Sequence, residues 1–149
     1  MINKVTFVVI GKNEALNLPR CFRSIQKVSN NIIFVDSDSD DNSVSIAKEY
    51  NIKKILRVKA NYGTPALSRS VGAKEVETEY IQFLDGDMTI EEGWISLALA
   101  KLQNNKDIAA VHGNMKFFTK NDGDYFIFSD SADWESDYLP GAFLIKRDI

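Results

Sequence analysis

Asp85-Gly86-Asp87 follows the apolar run Tyr80-Ile81-Gln82-Phe83-Leu84 in this chain of 149 residues. Two carboxylates separated by one small residue, where a buried strand meets solvent, can share a divalent cation, and that cation can hold phosphates. The chemistry implied is metal-assisted work on a phosphorylated substrate. Such tripeptides also occur in turns, where a short acidic side chain accepts hydrogen bonds from nearby backbone. Asp36-Ser37-Asp38, Asp38-Ser39-Asp40 and Asp122-Gly123-Asp124 repeat the pattern, so position in the fold must separate site from turn.

The elements that position these residues alternate. Residues 5–10 form a β-branched apolar run, and Asn13 offers an N-cap for a helix with apolar positions Leu16, Leu18, Cys21, Phe22, Ile25 and Val28. Residues 32–35 read as the next strand, and Asp41 can cap a helix bearing Val44, Ile46, Ala47 and Tyr50. A third strand spans 53–58, with Asn61-Tyr62-Gly63 as the turn beyond it. Thr64 and Pro65 then open a helix reaching residue 76. The fourth strand is 80–84 and the fourth helix 91–102. A fifth strand begins at 108–111 and continues to 118, residues 125–128 suggest a short strand, and order resumes at 141–146. Continuous apolar strands separated by helices predict one α/β domain over residues 1–149, with a mostly parallel sheet sandwiched by helices.

In an open parallel sheet, ligands bind outside the carboxyl ends of the strands. Here those ends carry Lys12, Asn13 and Glu14, then residues 36–41, then Gly63 with the helix bearing Arg69, then Asp85 and Asp87. Four successive connections supply one polar rim.

Composition narrows the partners. The net charge is −3, the sequence pI is about 5.2, and the 18 Lys and Arg are scattered, so a nucleic-acid partner is not expected. The single cysteine, Cys21, sits on an apolar helix face and reads as a buried thiol in a reducing, cytoplasmic setting. No apolar stretch approaches the ~18 residues a membrane span needs, which leaves peripheral association with the inner membrane face open. There is no Gly-x-Gly-x-x-Gly fingerprint and no phosphate-loop Gly-Lys-Ser/Thr. A calcium loop starting at Asp36 fails, because its sixth position is Asp41 and its twelfth Ala47. His112 reads as a strand residue, and Trp94 and Phe117-Phe118 as core.

Five blocks together resemble family 2 glycosyltransferases of the GT-A fold, which use nucleotide-sugar donors. They are Val8-Val9-Ile10-Gly11-Lys12-Asn13-Glu14, the run from Phe34 to Ser43, Arg69-Ser70-Val71-Gly72, Phe83-Leu84-Asp85-Gly86-Asp87, and the run from Gly141 to Arg147. The resemblance implies a Rossmann-like nucleotide-binding half in which Ile10, Gly11, Asn13 and Glu14 line the base and ribose pocket and Asp36 approaches the base. Arg69 would lie near the pyrophosphate. Asp85 would approach ribose or metal, Gly86 would belong to the same nucleotide-sugar site, and Asp87 would ligate Mg2+ or Mn2+, with Asp85 as its companion. The implied reaction is inverting, metal-dependent transfer of a sugar to a hydroxyl acceptor on a glycan, lipid-linked or protein molecule, as in envelope or polysaccharide synthesis.

The chain also departs from the family pattern. Ser37 stands where many members carry a second Asp, so uracil recognition by that carboxylate does not carry over. Asp38 stands where Gly is common, Lys12 where an aromatic is common, and Ser70 where Asn usually follows the Arg. The general base is expected beyond Ile149, which leaves the catalytic residue unassigned and the domain truncated before it. Asp133, Glu135 and Asp137 around Trp134 read as solvated loop.

Two other readings compete. Asp85-Gly86-Asp87-Met88-Thr89 also matches the Asp-x-Asp-x-Thr start of haloacid-dehalogenase-like phosphatases, although only 62 residues follow Asp87. The other is a non-catalytic sugar-nucleotide-binding module.

Overall fold

The computed structural model describes residues 2–59, 63–113, 116–118, 125–127 and 141–148. β1 (Val5–Gly11) lies at the centre of a six-stranded sheet, with β2 (Ile32–Asp36) and β4 (Tyr80–Asp85) parallel on either side. β3 (Lys54–Arg57) extends the parallel set beyond β2. The order is β3-β2-β1-β4-β8-β5, with β8 (Phe143–Lys146) antiparallel to both β4 and β5 (Ala110–Val111).

Alternate residues of each central strand feed different cores, because successive side chains of a strand point to opposite faces. Val5, Phe7 and Val9 join Phe34 and Leu84 on one face, under Leu18, Cys21, Phe22 and Ile25 of α1 (Leu18–Gln26). Ala47 of α2 (Ser43–Glu49) and Ile95, Ala98 and Leu102 of α4 (Trp94–Asn104) belong to the same cluster. Val8 and Ile10 join Ile33, Val35, Ile81 and Phe83 on the other face. There α3 (Pro65–Ala73) packs on β1 and β2. Burial on both faces is why these strands read as unbroken apolar runs. The mixed α/β fold with a mostly parallel, helix-covered sheet matches expectation.

Several local expectations change. Asn13 is not the cap of α1: its φ is 57°, and the helix begins five residues later at Leu18, after Asn17. α4 starts at Trp94 instead of 91 because Gly93, at φ 85°, is left-handed and cannot sit inside an α-helix. α3 ends at Ala73 instead of 76. The fifth strand is only two residues long, and Lys116–Phe118 (β6) instead pairs antiparallel with β7 (Tyr125–Ile127) in a separate sheet. Beside β4, the place of a parallel fifth strand is taken by β8. The Asn61-Tyr62 turn, Asp122-Gly123-Asp124 and Asp133 through Asp137 lie outside the described residues.

Candidate functional site

Parallel register brings the strand ends level. Ile10 pairs with Asp85 and Gly11 with Asp36, so the connections after β1, β2 and β4 open on one edge. A cleft of about 220 Å3 lies there, lined by Ile10, Gly11, Lys12 and Glu14 at and after the end of β1 and by Asp85, Gly86 and Asp87 at and after the end of β4. Ser37, Gly63 and Pro65 complete it.

The backbone is tied together beneath the cleft. The Gly86 amide donates to the Ile10 carbonyl at 2.8 Å, and the Ser37 amide to the Gly11 carbonyl at 2.9 Å. Gly86 is packed closely, since a Cβ there would come 3.2 Å from Leu18 Cδ2 and 3.3 Å from the Ile10 carbonyl. The Asp87 side chain is exposed at the rim, while its carbonyl accepts from Arg20 Nη2 at 2.7 Å.

Asp85 is half-buried, and Arg69 Nη2 of α3 donates to its Oδ1 at 2.7 Å. Burial raises the Asp85 pKa above the ordinary aspartate value, the Arg69 charge and hydrogen bond oppose that, and the nearby Asp87 charge adds to it. Thr64 accepts the Leu67 amide at 3.1 Å and Pro65 follows it, which fixes the start of the helix that carries Arg69. The Arg69 guanidinium lies 5.9 Å from the centre of the Phe143 ring.

Asp36 is fully buried behind the cleft wall. Its Oδ2 accepts the Ser39 amide at 3.1 Å and lies 3.4 Å from Arg57 Nε, whereas Oδ1 has no hydrogen-bond partner among the described residues. Arg57 Nη2 also holds Asp38 Oδ1 at 2.8 Å and the Ser39 carbonyl at 3.1 Å. Asp38 has a φ of 61°, a left-handed backbone that glycine adopts at no steric cost.

Ser37 stands at the cleft with its hydroxyl 2.9 Å from that of buried Ser68, one donating to the other. Asn13 braces the rim: its amide donates to Ser39 Oγ at 2.9 Å, and its Oδ1 accepts the Asp40 amide at 2.8 Å. Glu14 donates its backbone N–H to Ser43 Oγ at 2.9 Å, and its Oε2 accepts from Asn17 Nδ2 at 2.7 Å. Asp41 accepts from the Ala15 amide and from the Ser43 amide and hydroxyl. Desolvation is the largest single influence and raises its pKa, but the hydrogen bonds together outweigh it and hold its carboxyl below the ordinary aspartate value.

The predicted residues Ile10, Gly11, Glu14, Asp85, Gly86 and Asp87 thus meet at one cleft, with Arg69 joined to Asp85, Asp36 buried behind and Asn13 in a bracing role. Reasoning from sequence did not find Arg57, Ser68 or Arg20, and it included Ser39 and Ser43 in the loop after β2 without their bracing roles. Arg57 ends β3, so the rule that singled out the other strand ends would have found it. Cys21 is buried as expected; burial foremost, with the Asp87 charge, pushes its thiol up to about 12. Among the described residues, no group of three or more His, Cys, Asp or Glu side chains could hold a metal unaided, and no helix is long and apolar enough to cross a membrane.

Comparison with known proteins agrees with the fold. The chain is 37% identical over 86 residues to the minor teichoic acid biosynthesis protein GgaB of Bacillus subtilis, covering 54% of this chain and 10% of that protein. It spans 10% to 26% of the length of the first curated relatives it matches. S. aureus TarS residues 1–349 superpose with a TM-score of 0.60 and 25% identity, over 68% of this chain and 32% of that one; TarS has also been solved with UDP and with UDP-GlcNAc. The mannosyltransferase PcManGT from Pyrobaculum calidifontis shares the fold, with a TM-score of 0.61 at 18% identity, over 72% of this chain and 34% of that one. The glycosyl transferase family 2 pattern matches residues 6–125, and the chain belongs to that family.

Proposed function

We propose that residues 1–149 form the donor-binding part of a glycosyltransferase that moves a sugar from a nucleotide-sugar to a hydroxyl acceptor with inversion. In this reading the general base lies outside these residues. The observation that carries it is the rim where Asp85, paired with Arg69, and exposed Asp87 line one cleft together with Ile10, Gly11, Lys12 and Glu14. A cation-bearing diphosphate suits that rim, and the buried, half-partnered Asp36 suits an N–H donor such as a nucleobase.

The carboxylates also suit Mg2+ or Mn2+. Both are hard oxygen donors, and such a cation is commonly held by one or two carboxylates, with substrate phosphates and water completing its shell. Asp87 would be the principal ligand, since Asp85 Oδ1 is already engaged by Arg69. When bound, the ion supplies charge neutralisation on the departing nucleoside diphosphate. Arg69 places a guanidinium on Asp85, which lines the cleft, and Lys12 lines the same cleft with a second positive charge.

TarS complexes with UDP and UDP-GlcNAc support a nucleotide-sugar donor, and the teichoic acid relatives support an envelope polymer as acceptor. The family assignment stands against the phosphatase reading. Calorimetric titration of a nucleoside diphosphate panel, with and without Mn2+, tests the proposal. Asp87→Ala should lose the Mn2+-dependent part of the affinity and keep the rest. Unchanged binding by that variant refutes the role of Asp87, and no binding of any nucleoside diphosphate by the unaltered chain refutes the function.

A further inference from the structure

The chain entering β8 lies directly against the Arg69–Asp85 pair. The Gly141 carbonyl accepts the Asp85 amide at 3.1 Å. A Cβ on Gly141 would overlap Asp85 Oδ2, approach its Cγ to 2.8 Å and reach 3.0 Å from Met88 Cε. Two residues on, the Phe143 ring lies against the Arg69 guanidinium. The carboxylate therefore has Arg69 on one oxygen and the bare α-carbon of a glycine against the other.

Among the described residues, Gly93 is the glycine with a positive φ. Gly141 thus meets a demand for space and not for a left-handed backbone. A side chain there must either turn the Asp85 carboxylate away from Arg69 or push the start of β8 off β4, where Phe143 pairs with Phe83. Both displacements move the acidic group that faces the cleft.

Resting on the donor-site reading above, we propose that Gly141 is a positioning residue of that site: its missing side chain fixes the Asp85 carboxylate in the orientation that holds Arg69. Gly141 acts through Asp85, so its importance depends on Asp85 being present. A double-mutant cycle isolates that dependence.

Gly141→Ala should weaken Mn2+-supported binding of UDP or GDP by about tenfold or more, as small misplacements of site groups do. In an Asp85→Ala background, where the overlapping atoms are gone, the same change should leave affinity within about twofold. The cycle repeated on ligand-free unfolding midpoints should show the same pattern, with Gly141→Ala lowering the midpoint only when Asp85 is present. Equal losses in both backgrounds overturn the proposal, because Gly141 then serves β8 alone; undiminished binding by Gly141→Ala overturns it too. If neither nucleotide binds the unaltered chain, the donor-site reading fails, and the unfolding cycle alone decides whether Gly141 positions Asp85.

Discussion

Two carboxylates at this site carry opposite kinds of tension. Asp36 is fully buried, with one oxygen partnered and the other bare among the described residues, and a buried acceptor without a donor costs stability unless something supplies one. Asp36→Asn keeps the shape and replaces one acceptor with a donor, so it should weaken nucleoside diphosphate binding by about ten- to a hundredfold, the range for a hydrogen bond to a charged group. Calorimetry measures this, and undiminished affinity would remove Asp36 from the site. Asp85 has its pKa raised, foremost by burial. The folded chain thus holds this proton more tightly than the unfolded chain, so the ionised group costs stability at neutral pH. That cost shrinks as pH falls through the raised pKa and is gone below the unfolded value. Relative to Asp85→Asn, the unaltered protein should therefore gain stability as pH falls from 7 to 4. Denaturant unfolding of both across that range decides it, and a flat or opposite difference contradicts the assignment.

At the scale of elements, α3 must sit close to the sheet for Arg69 to reach Asp85. Gly72 allows this, since a Cβ there would overlap Val8 Cγ1 and come 3.0 Å from Val35 Cγ2. Gly72→Ala should cost about 1–3 kcal/mol through overpacking and should also weaken nucleotide binding, because lifting α3 withdraws Arg69. Thr64→Ala, which removes the acceptor for the Leu67 amide, should cost about 1 kcal/mol and leave the helix packing intact. Thermal unfolding of the two variants separates a packing fault from a capping fault. The elements of the parallel half were legible because their signals are local: an apolar run, a Thr-Pro start, a Leu18, Cys21, Phe22, Ile25 stripe. What was illegible is non-local. Nothing around Phe143 announces that its strand inserts antiparallel beside β4. Nor does Asn13 announce that it bonds the Asp40 amide, 27 residues away, instead of capping a helix. The cleft residues were found because position at a strand end is a rule of topology, whereas the bracing by Ser39 and Ser43 depends on how two loops meet.

The whole molecule gathers its chemistry where separate connections converge, and that arrangement has a thermodynamic consequence. The segments after β1, β2 and β4, the end of β3 and α3 are joined to one another by hydrogen bonds and ion pairs: Asn13 to Ser39, Arg57 to Asp38, Ser37 to Ser68, Arg69 to Asp85. A ligand spanning the cleft touches several of them at once in the folded chain and none in that arrangement in the unfolded chain. Binding only the folded state adds stability by mass action, about 2.7 kcal/mol when free ligand is a hundred times its Kd. Mn2+ with a nucleoside diphosphate should therefore raise the unfolding midpoint in a concentration-dependent way, and Mn2+ alone should do little, because the described side chains offer no cluster that could cage it. Asp87→Ala should remove the part of the rise that needs the metal and keep the part owed to the nucleotide. A midpoint that rises equally with Mn2+ alone would mean that the chain builds a complete cation site by itself, and the bridging role given to the diphosphate would then be wrong.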